Sequence, residues 1–359
     1  MHVQRVVLNS CEPFFEVVDD EGHPFPLISS YLHHLRAREY SPNTISAYAY
    51  DLLHFMTFLA LRNMNYRDFT PALSLTFLEY LTLLPRRLSP ATINRIFAAV
   101  SSYYDYLIVS DHFSERENPL LHVDDLAYLR VADRHRPFMG RASRQRPVRR
   151  VVRVKTVQRL PRPLSDDDTT RLLASLKLQR DRAMFFLMLH GGLRPGEVLN
   201  LHLEDISYAR RRVTIRHRTD HPKGVRTKSR TERVVDLHQP ETLQALSDYI
   251  MCERPTDTIS SHVFVVGGKG ARRHEPLGYH ALVKLFARHC ERLGMRRPGI
   301  TPHALRHTHA TKLWEGGMRE LTLQKRLGHA SPESTRMYTR VADPIVVAEY
   351  RQALGEEPQ

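Results

Sequence analysis

TPHALRHTHATKLWEGGMRELTLQKRLGHASPESTRMYT, residues Thr301–Thr339, gathers histidines, arginines and a single tyrosine more densely than a pair of packing helices requires. Thr301-Pro302 reads as a helix start with proline at the first helical position, and His303 and Arg306, three residues apart, then project from one face. Both can reach one ligand. The helix is expected to run to about Trp314 and stop at Gly316-Gly317. A second helix, Arg319 to Leu327, ends at Gly328 and leaves His329 on a fixed corner. A third short helix, capped by Ser331 with Pro332 at its first position, carries Tyr338. Two cation-capable groups, a corner histidine and a phenol make a phosphate site with a nucleophile. A helical H-x-x-R taken alone is more often a solvated face or a partnered core histidine, so the fragment needs support from the rest of the chain.

Upstream, Pro163-Leu-Ser165 opens a domain. Asp166, Asp167 and Asp168 read as the acidic first turn of a helix capped by Ser165 rather than as a metal site. Arg182 to His190 forms a buried helix stopped by Gly191-Gly192, and Arg194 stands directly before Pro195, at a rigid turn. Glu197 lies one turn along, within reach of that guanidinium. Two β-patterned runs, RRVTIRH and ERVVDL, flank the polar turn HPKGVRTKSR and predict a hairpin between Arg212 and Leu237. Helices at about Glu241 to Glu253 and Gly278 to Leu293, with a strand from His262 to Val266 between them, complete this part. Beyond Tyr338, the residues Ile345, Val346, Val347, Tyr350 and Leu354 fit a small amphipathic helix.

Arg194 in GGLRPGEVLNLHLEDI, then His303-Ala-Leu-Arg306, then Leu327-Gly-His329, then Tyr338, closely resembles the tyrosine recombinase (phage integrase) family, specifically over about residues 163 to 340 and loosely over 25 to 110. The phrase SPNTISAYAYDLLHFMTFL resembles the family's N-terminal core-binding domain, whose helices clamp DNA opposite the catalytic domain. The resemblance implies a catalytic lysine in the hairpin. Lys228 matches best and Lys223 is the runner-up. The R-x-G-E pattern implies that Glu197 holds Arg194 in place, and relatives use the C-terminal helix to dock onto a neighbouring protomer.

The chemistry agrees with those residue types. Attack on a DNA phosphodiester raises the negative charge of the pentacoordinate transition state, and two permanently charged, fork-shaped arginines, Arg194 and Arg306, suit its neutralisation. His329 adds a hydrogen bond to a nonbridging oxygen. Tyr338, a weak nucleophile as a neutral phenol, needs a base; His303 is the candidate, and His307 competes on geometry. The departing 5′ oxygen takes its proton from Lys228. The product is a 3′-phosphotyrosyl linkage that a 5′ hydroxyl can reverse without ATP, metal or other cofactor.

The remaining chain fits a protein that binds a polyanion. Helical spacing recurs in Leu27, Ile28, Tyr31, Leu32 and Leu35, then after Ser41-Pro42 in Ile45, Tyr48, Leu52, Phe55 and Leu59, with further helices at Leu73 to Leu83 and Ala91 to Ile108. Residues 1–24 hold apolar patches that fit one or two strands. Between them and the catalytic part, residues 131–162 are a basic connector with Arg134, Arg136, Arg141, Arg144, Arg146, Arg149, Arg150 and Arg153 as candidate phosphate contacts. The division expected is an extension (1–24), a helical core-binding, SAM-like domain (25–130), the connector, and a catalytic domain with a docking helix (163–359). The fold class is mainly α with a small antiparallel β-sheet, a helical bundle followed by a mixed α/β catalytic domain.

Fifty-three Lys plus Arg against 39 Asp plus Glu give a net charge of +14, which favours nucleic acid. No apolar run approaches the roughly 18 to 20 residues of a membrane helix, no signal peptide is visible, and Cys11, Cys252 and Cys290 form neither a disulfide framework nor a zinc knuckle. The expected setting is cytoplasmic, on the nucleoid, with double-stranded DNA as partner and a homotetramer at synapsis, helped in some systems by element-encoded proteins. The resemblance and the long basic connector favour a mobile element's integrase or transposase. Type IB topoisomerase-like relaxation, chromosome or plasmid dimer resolution, and a non-catalytic DNA-binding accessory factor stay open.

Overall fold

The computed structural model describes residues 1–6, 14–113, 117–120, 122–124, 148–150, 152–156, 163–227, 231–297, 299–329 and 335, with backbone alone at 122–124 and 148–150. The chain forms two compact units, Met1–Gln158 and Arg159–Gln359. It is mainly helical, with small antiparallel sheets.

In the first unit, strands β1 (His2–Val6) and β2 (Phe14–Val18) pair antiparallel, His2 opposite Val18 and Val6 opposite Phe14. Four helices follow: α1 (Pro26–Ala37), α2 (Pro42–Leu61), α3 (Pro71–Leu83) and α4 (Pro90–Val109). Each begins on a proline, whose missing N–H is one the first turn could not have satisfied anyway. Ser41 and Ser89 cap α2 and α4, their hydroxyls accepting from the Thr44 and Thr92 amides at 3.2 and 3.1 Å. The apolar faces meet in an aromatic core of Tyr31, Phe55, Phe58, Phe69, Phe77, Phe97, Tyr103 and Tyr104. Edge-to-face contacts such as Phe55 on Phe69, with ring centroids 5.1 Å apart, fill it. Inside the bundle the buried Asp51 carboxylate accepts two bonds from the Arg95 fork, at 2.9 and 3.0 Å.

Part of the basic connector belongs to this unit. Strands β3 (His122–Asp124) and β4 (Val148–Arg150) pair antiparallel, and Val152 and Val154 pack on the helical core. The Asn94 amide both donates to the Val154 carbonyl and accepts from the Val154 N–H, each at 2.9 Å. Val152 and Val154 continue an arginine-rich stretch with no sustained apolar period, which is why the sequence reads here only as a linker.

The second unit is built on α6 (Gln179–Leu189), in which Ala183, Met184, Phe185, Leu187 and Met188 are wholly buried. Before it comes α5 (Asp166–Ala174), capped by Ser165, whose hydroxyl accepts from the Asp168 amide at 3.1 Å. Asp167 and Asp168 face Arg171, and Asp166 pairs with Lys312. After the short α7 (Pro195–Leu199), strands β5 (Ile206–Ser207), β6 (Arg212–Ile215) and β7 (Arg233–Asp236) form an antiparallel sheet in that order, Val213 opposite Val235. Helix α8 (Pro240–Asp248) runs on through a π-helical turn, Tyr249–Glu253, and is followed by α9 (Tyr279–Arg292), α10 (His303–Glu315) and α11 (Glu320–Leu327).

The strand expected at His262 to Val266 is reduced to isolated bridges, His202 with His262 and Val265 with Pro276. Val263, Phe264 and Val265 are fully buried, but the chain bends at Val263 and Phe264, and the segment's backbone bonds go to Leu201 on one side and Leu277 on the other. Neither neighbour continues as a strand: after Leu201 the chain enters a 3-10 turn, Leu203–Asp205, so no ladder propagates. Among the described residues no helix is long and apolar enough to cross a membrane, and Cys252 and Cys290 are free thiols.

Candidate active site

The site is assembled where three helix ends and one strand meet. Helix α6 stops at Gly191-Gly192, and Gly192 takes φ +65°, a left-handed turn that only glycine adopts without strain. A Cβ there would lie 2.4 Å from the His309 ring. Arg194 follows as the residue capping α7, with Pro195 fixing the first turn. Glu197 reaches back from that turn: its Oε2 accepts from the Arg194 amide at 2.7 Å and its Oε1 from Arg194 Nη1 at 2.7 Å. The second Arg194 nitrogen, Nη2, donates to the Gly328 carbonyl at 2.9 Å. Arg194 is thereby held from both sides.

Arg306, on α10, is 2% exposed. Its Nη1 donates to the Gly192 carbonyl and its Nη2 to the Leu327 carbonyl, the latter at 2.7 Å, so one side chain ties the end of α6 to the end of α11. Nη1 also lies 3.8 Å from Glu197 Oε2. The α11 terminus supplies the fourth piece. Gly328, in the left-handed conformation at φ +63°, turns the chain so that His329 leaves the helix axis, and the His329 amide donates to the Gln324 carbonyl at 3.1 Å. His329 Nδ1 is 2.8 Å from the hydroxyl of the buried Thr335. Burial, and then the positive charges of Arg306, Arg194 and Arg233, push the His329 ring down to about 3. It is neutral at pH 7. If the Thr335 hydroxyl donates to Nδ1, Nε2 carries the proton and is a donor for an incoming oxygen.

Burial alone would raise the Glu197 carboxyl, but the hydrogen bonds and charge of Arg233, with the charges of Arg306 and Arg194, outweigh it and hold the group at about 2. Three guanidinium groups therefore surround one carboxylate, and the cluster keeps an excess of positive charge under a neutral imidazole. Such an arrangement suits an anion with two or more oxygens.

Arg194, Glu197, Arg306 and His329 are brought together as the sequence spacing anticipates. His303 sits half-buried one turn before His307, with ring centroids 6.5 Å apart. Burial and the neighbouring His303 and Arg306 lower His307 to about 4. Lys223 is engaged elsewhere: its Nζ pairs with Glu275 at 2.9 Å and its stem lies against Gly278. Tyr338, Lys228 and the C-terminal helix fall outside the described residues, as do Arg134, Arg136, Arg141, Arg144 and Arg146. Arg149 and Arg150 lie in β4, and Arg153 is exposed.

The residue that sequence reasoning missed is Arg233, at the start of β7. Its two terminal nitrogens donate to Glu197 Oε1 and Oε2 at 2.9 and 2.7 Å, and its Nε to the Arg326 carbonyl at 3.2 Å. The only signal was an arginine at the head of an otherwise apolar strand. Arg326 and His309 form a second unforeseen link: Arg326 Nε donates to His309 Nε2 at 3.2 Å, and His309 Nδ1 donates to the Leu189 carbonyl at 2.8 Å.

Comparison with known proteins places the chain in a family. Residues 162–344 match the phage integrase family, and residues 28–110 match the phage integrase N-terminal SAM-like domain. Transposase A from transposon Tn554 of Staphylococcus aureus is 27% identical over 99% of this chain and 98% of its own length. Tyrosine recombinase XerC of Caldanaerobacter subterraneus subsp. tengcongensis is 28% identical over 93% of this chain and 87% of its own. Among solved structures, the Tn1549 transposon integrase in complex with a circular intermediate DNA shares the fold, with a TM-score of 0.66 at 18% identity over 91% of this chain and 99% of that one. A lambda integrase dimer bound to a core site gives 0.57 at 17% identity, over 88% and 96%. With the family match spanning half its length, the chain belongs to the phage integrase family, the tyrosine recombinases.

Proposed function

We propose that the protein is a site-specific DNA recombinase of the integrase or transposase type, which cuts and rejoins double-stranded DNA through a 3′-phosphotyrosyl intermediate. The observation that carries this reading is the pair of guanidinium groups, Arg194 and Arg306, fixed by Glu197 and by the Gly328, Gly192 and Leu327 carbonyls beside a neutral His329. A scissile phosphate seated there would meet two forked cations and an imidazole donor.

In the proposed step the Tyr338 phenolic oxygen bonds to phosphorus while the bond from phosphorus to the 5′ oxygen breaks. Its proton passes to His303, and Lys228 protonates the departing oxygen. Arg194 and Arg306 are held before the substrate arrives, so little reorganisation is needed as the extra charge develops. A 5′ hydroxyl from a partner strand reverses the step, and exchange of partners gives recombination. The Tn554 transposase relative, which spans nearly the whole chain, supports a mobile-element role over dimer resolution. In this reading the protein works in the cytoplasm on the nucleoid, as a tetramer at synapsis joined through the C-terminal helix, with or without element-encoded helpers.

A suicide duplex, nicked close to the cut so that the leaving fragment diffuses away, tests the chemistry. The wild type should accumulate a covalent adduct and Tyr338→Phe none; equal adduct from both removes Tyr338 from its role. Two duplexes carrying the element's own ends should then yield joined partner strands. Relaxation of supercoils without joining would favour the topoisomerase reading instead.

A further inference from the structure

Glu197 is a saturated carboxylate. Oε1 accepts from Arg194 Nη1 and Arg233 Nη1, and Oε2 from the Arg194 amide and Arg233 Nη2. These bonds match the roughly four acceptor sites that a carboxylate has. Half of them come from Arg233, a residue 10% exposed at its side chain that heads β7. The same guanidinium supports the corner of α11. A Cβ on Gly328 would stand 2.7 Å from Arg233 Nη1 and 3.0 Å from its Cδ and Cζ, so the Gly328 backbone rests directly on the Arg233 plane. Arg233 Nε meanwhile donates to the Arg326 carbonyl in the last turn of α11. Strand, carboxylate and histidine corner thus share one side chain.

We infer that Arg233 is a positioning residue: acting through Glu197 and through the Gly328 corner, it sets the direction in which Arg194 and His329 face the scissile phosphate. This rests on the phosphoryl-transfer reading of the site. The geometry argues for arginine specifically. A planar fork satisfies both carboxylate oxygens and still turns Nε to a carbonyl, whereas lysine offers one point charge and cannot do all three. Without Arg233, half of the donors to a carboxylate that is wholly buried would be gone. The nearest replacement is Arg306 Nη1, 3.8 Å from Oε2, which is otherwise spent on the Gly192 carbonyl. The carboxylate would draw Arg306 off that carbonyl, and both clamps would lose their setting. A displacement of about 1 Å at such a site costs on the order of 100-fold in rate.

The test compares wild type, Arg233→Met and Arg233→Lys in single-turnover adduct formation at saturating suicide duplex, with duplex affinity measured alongside. Arg233→Met should slow adduct formation about 100-fold with affinity nearly unchanged, and Arg233→Lys should fall between. The deciding readout replaces the scissile phosphodiester by a methylphosphonate, whose neutral centre asks less of the guanidinium clamps. On that substrate the deficit of both variants should shrink by about tenfold or more. In a Glu197→Gln background, Arg233→Met should add a smaller loss than it causes alone, the remainder passing through the Gly328 corner. An equal deficit on both substrates would make Arg233 merely structural, and wild-type rates in the variants would remove it from the site; either result overturns the inference. Should Arg233→Met fail to fold, Arg233→Lys carries the same comparison. Failure of the wild type itself to form adduct would instead overturn the proposed function, and is seen separately.

Discussion

Gly192 and His309 pack against each other in the scaffold of the candidate site, and their fit constrains both. Alanine at 192 would have to hold φ +65° and place its Cβ 2.4 Å from the imidazole. The left-handed backbone and the overpacking together should cost about 3 kcal/mol or more, lowering the melting temperature by roughly 5–10 °C. Because the Gly192 carbonyl also anchors Arg306, Gly192→Ala should lose adduct formation even below its melting point. A folded, fully active Gly192→Ala would contradict this. His309 itself sets an acid limit. Burial first, then Arg326 and Arg306, lower it to about 3, while His329 is lowered to about 3 and His307 to about 4. A depressed histidine binds fewer protons folded than unfolded, so its contribution is present above the unfolded value near 6.5 and is lost as pH falls toward 3 to 4. Urea midpoints should therefore fall steadily from pH 7 to 4, and less steeply in His309→Gln. A flat wild-type profile over that window would refute the assignment.

At the scale of elements, the bundle holds one buried ion pair that can be isolated. Asp51 is 1% exposed and depends on the half-exposed Arg95 fork, so Arg95→Leu should destabilise the first unit by about 3 kcal/mol. The double change Asp51→Leu with Arg95→Leu should restore most of that loss in denaturant unfolding, since a neutral pair of matched volume leaves no charge stranded. Helices α1 to α4 were legible in the sequence because each carries its own punctuation, a proline at the first position and an apolar stripe behind it. The glycine stops at 191–192, 316–317 and 328 were equally legible, and they placed Arg194 and His329. Arg233 was not, since its partner lies 36 residues away and nothing local records how many donors a buried Glu197 needs. The segment His262 to Val266 reads as a strand from composition, which reports burial and β-propensity but neither the bend at Val263 and Phe264 nor whether a neighbour continues the ladder. Residues 152–156 looked like linker because Val152 and Val154, which dock them, continue an arginine-rich stretch that includes Arg144, Arg146, Arg149 and Arg150.

For the whole molecule, a net charge of +14 makes ionic strength the main control of DNA affinity. A protein engaging several phosphates should lose roughly 10³- to 10⁵-fold in duplex affinity between about 50 and 200 mM salt. Replacing Arg134, Arg136, Arg141, Arg144 and Arg146 by serine should flatten the plot of log affinity against log salt by about 0.9 for each phosphate contact removed. An unchanged slope would mean that the connector does not touch DNA. The central claim is more local than this: a phenol from Tyr338 attacks a phosphate held by Arg194, Arg306 and His329. Its most direct test is to trap the adduct on a suicide duplex, digest it with nuclease and protease, and locate the nucleotide by tandem mass spectrometry. The expected result is a 3′-nucleotide esterified to the Tyr338 peptide and a free 5′ hydroxyl on the released strand. A nucleotide on any other side chain, or a 5′-linked adduct, would contradict it.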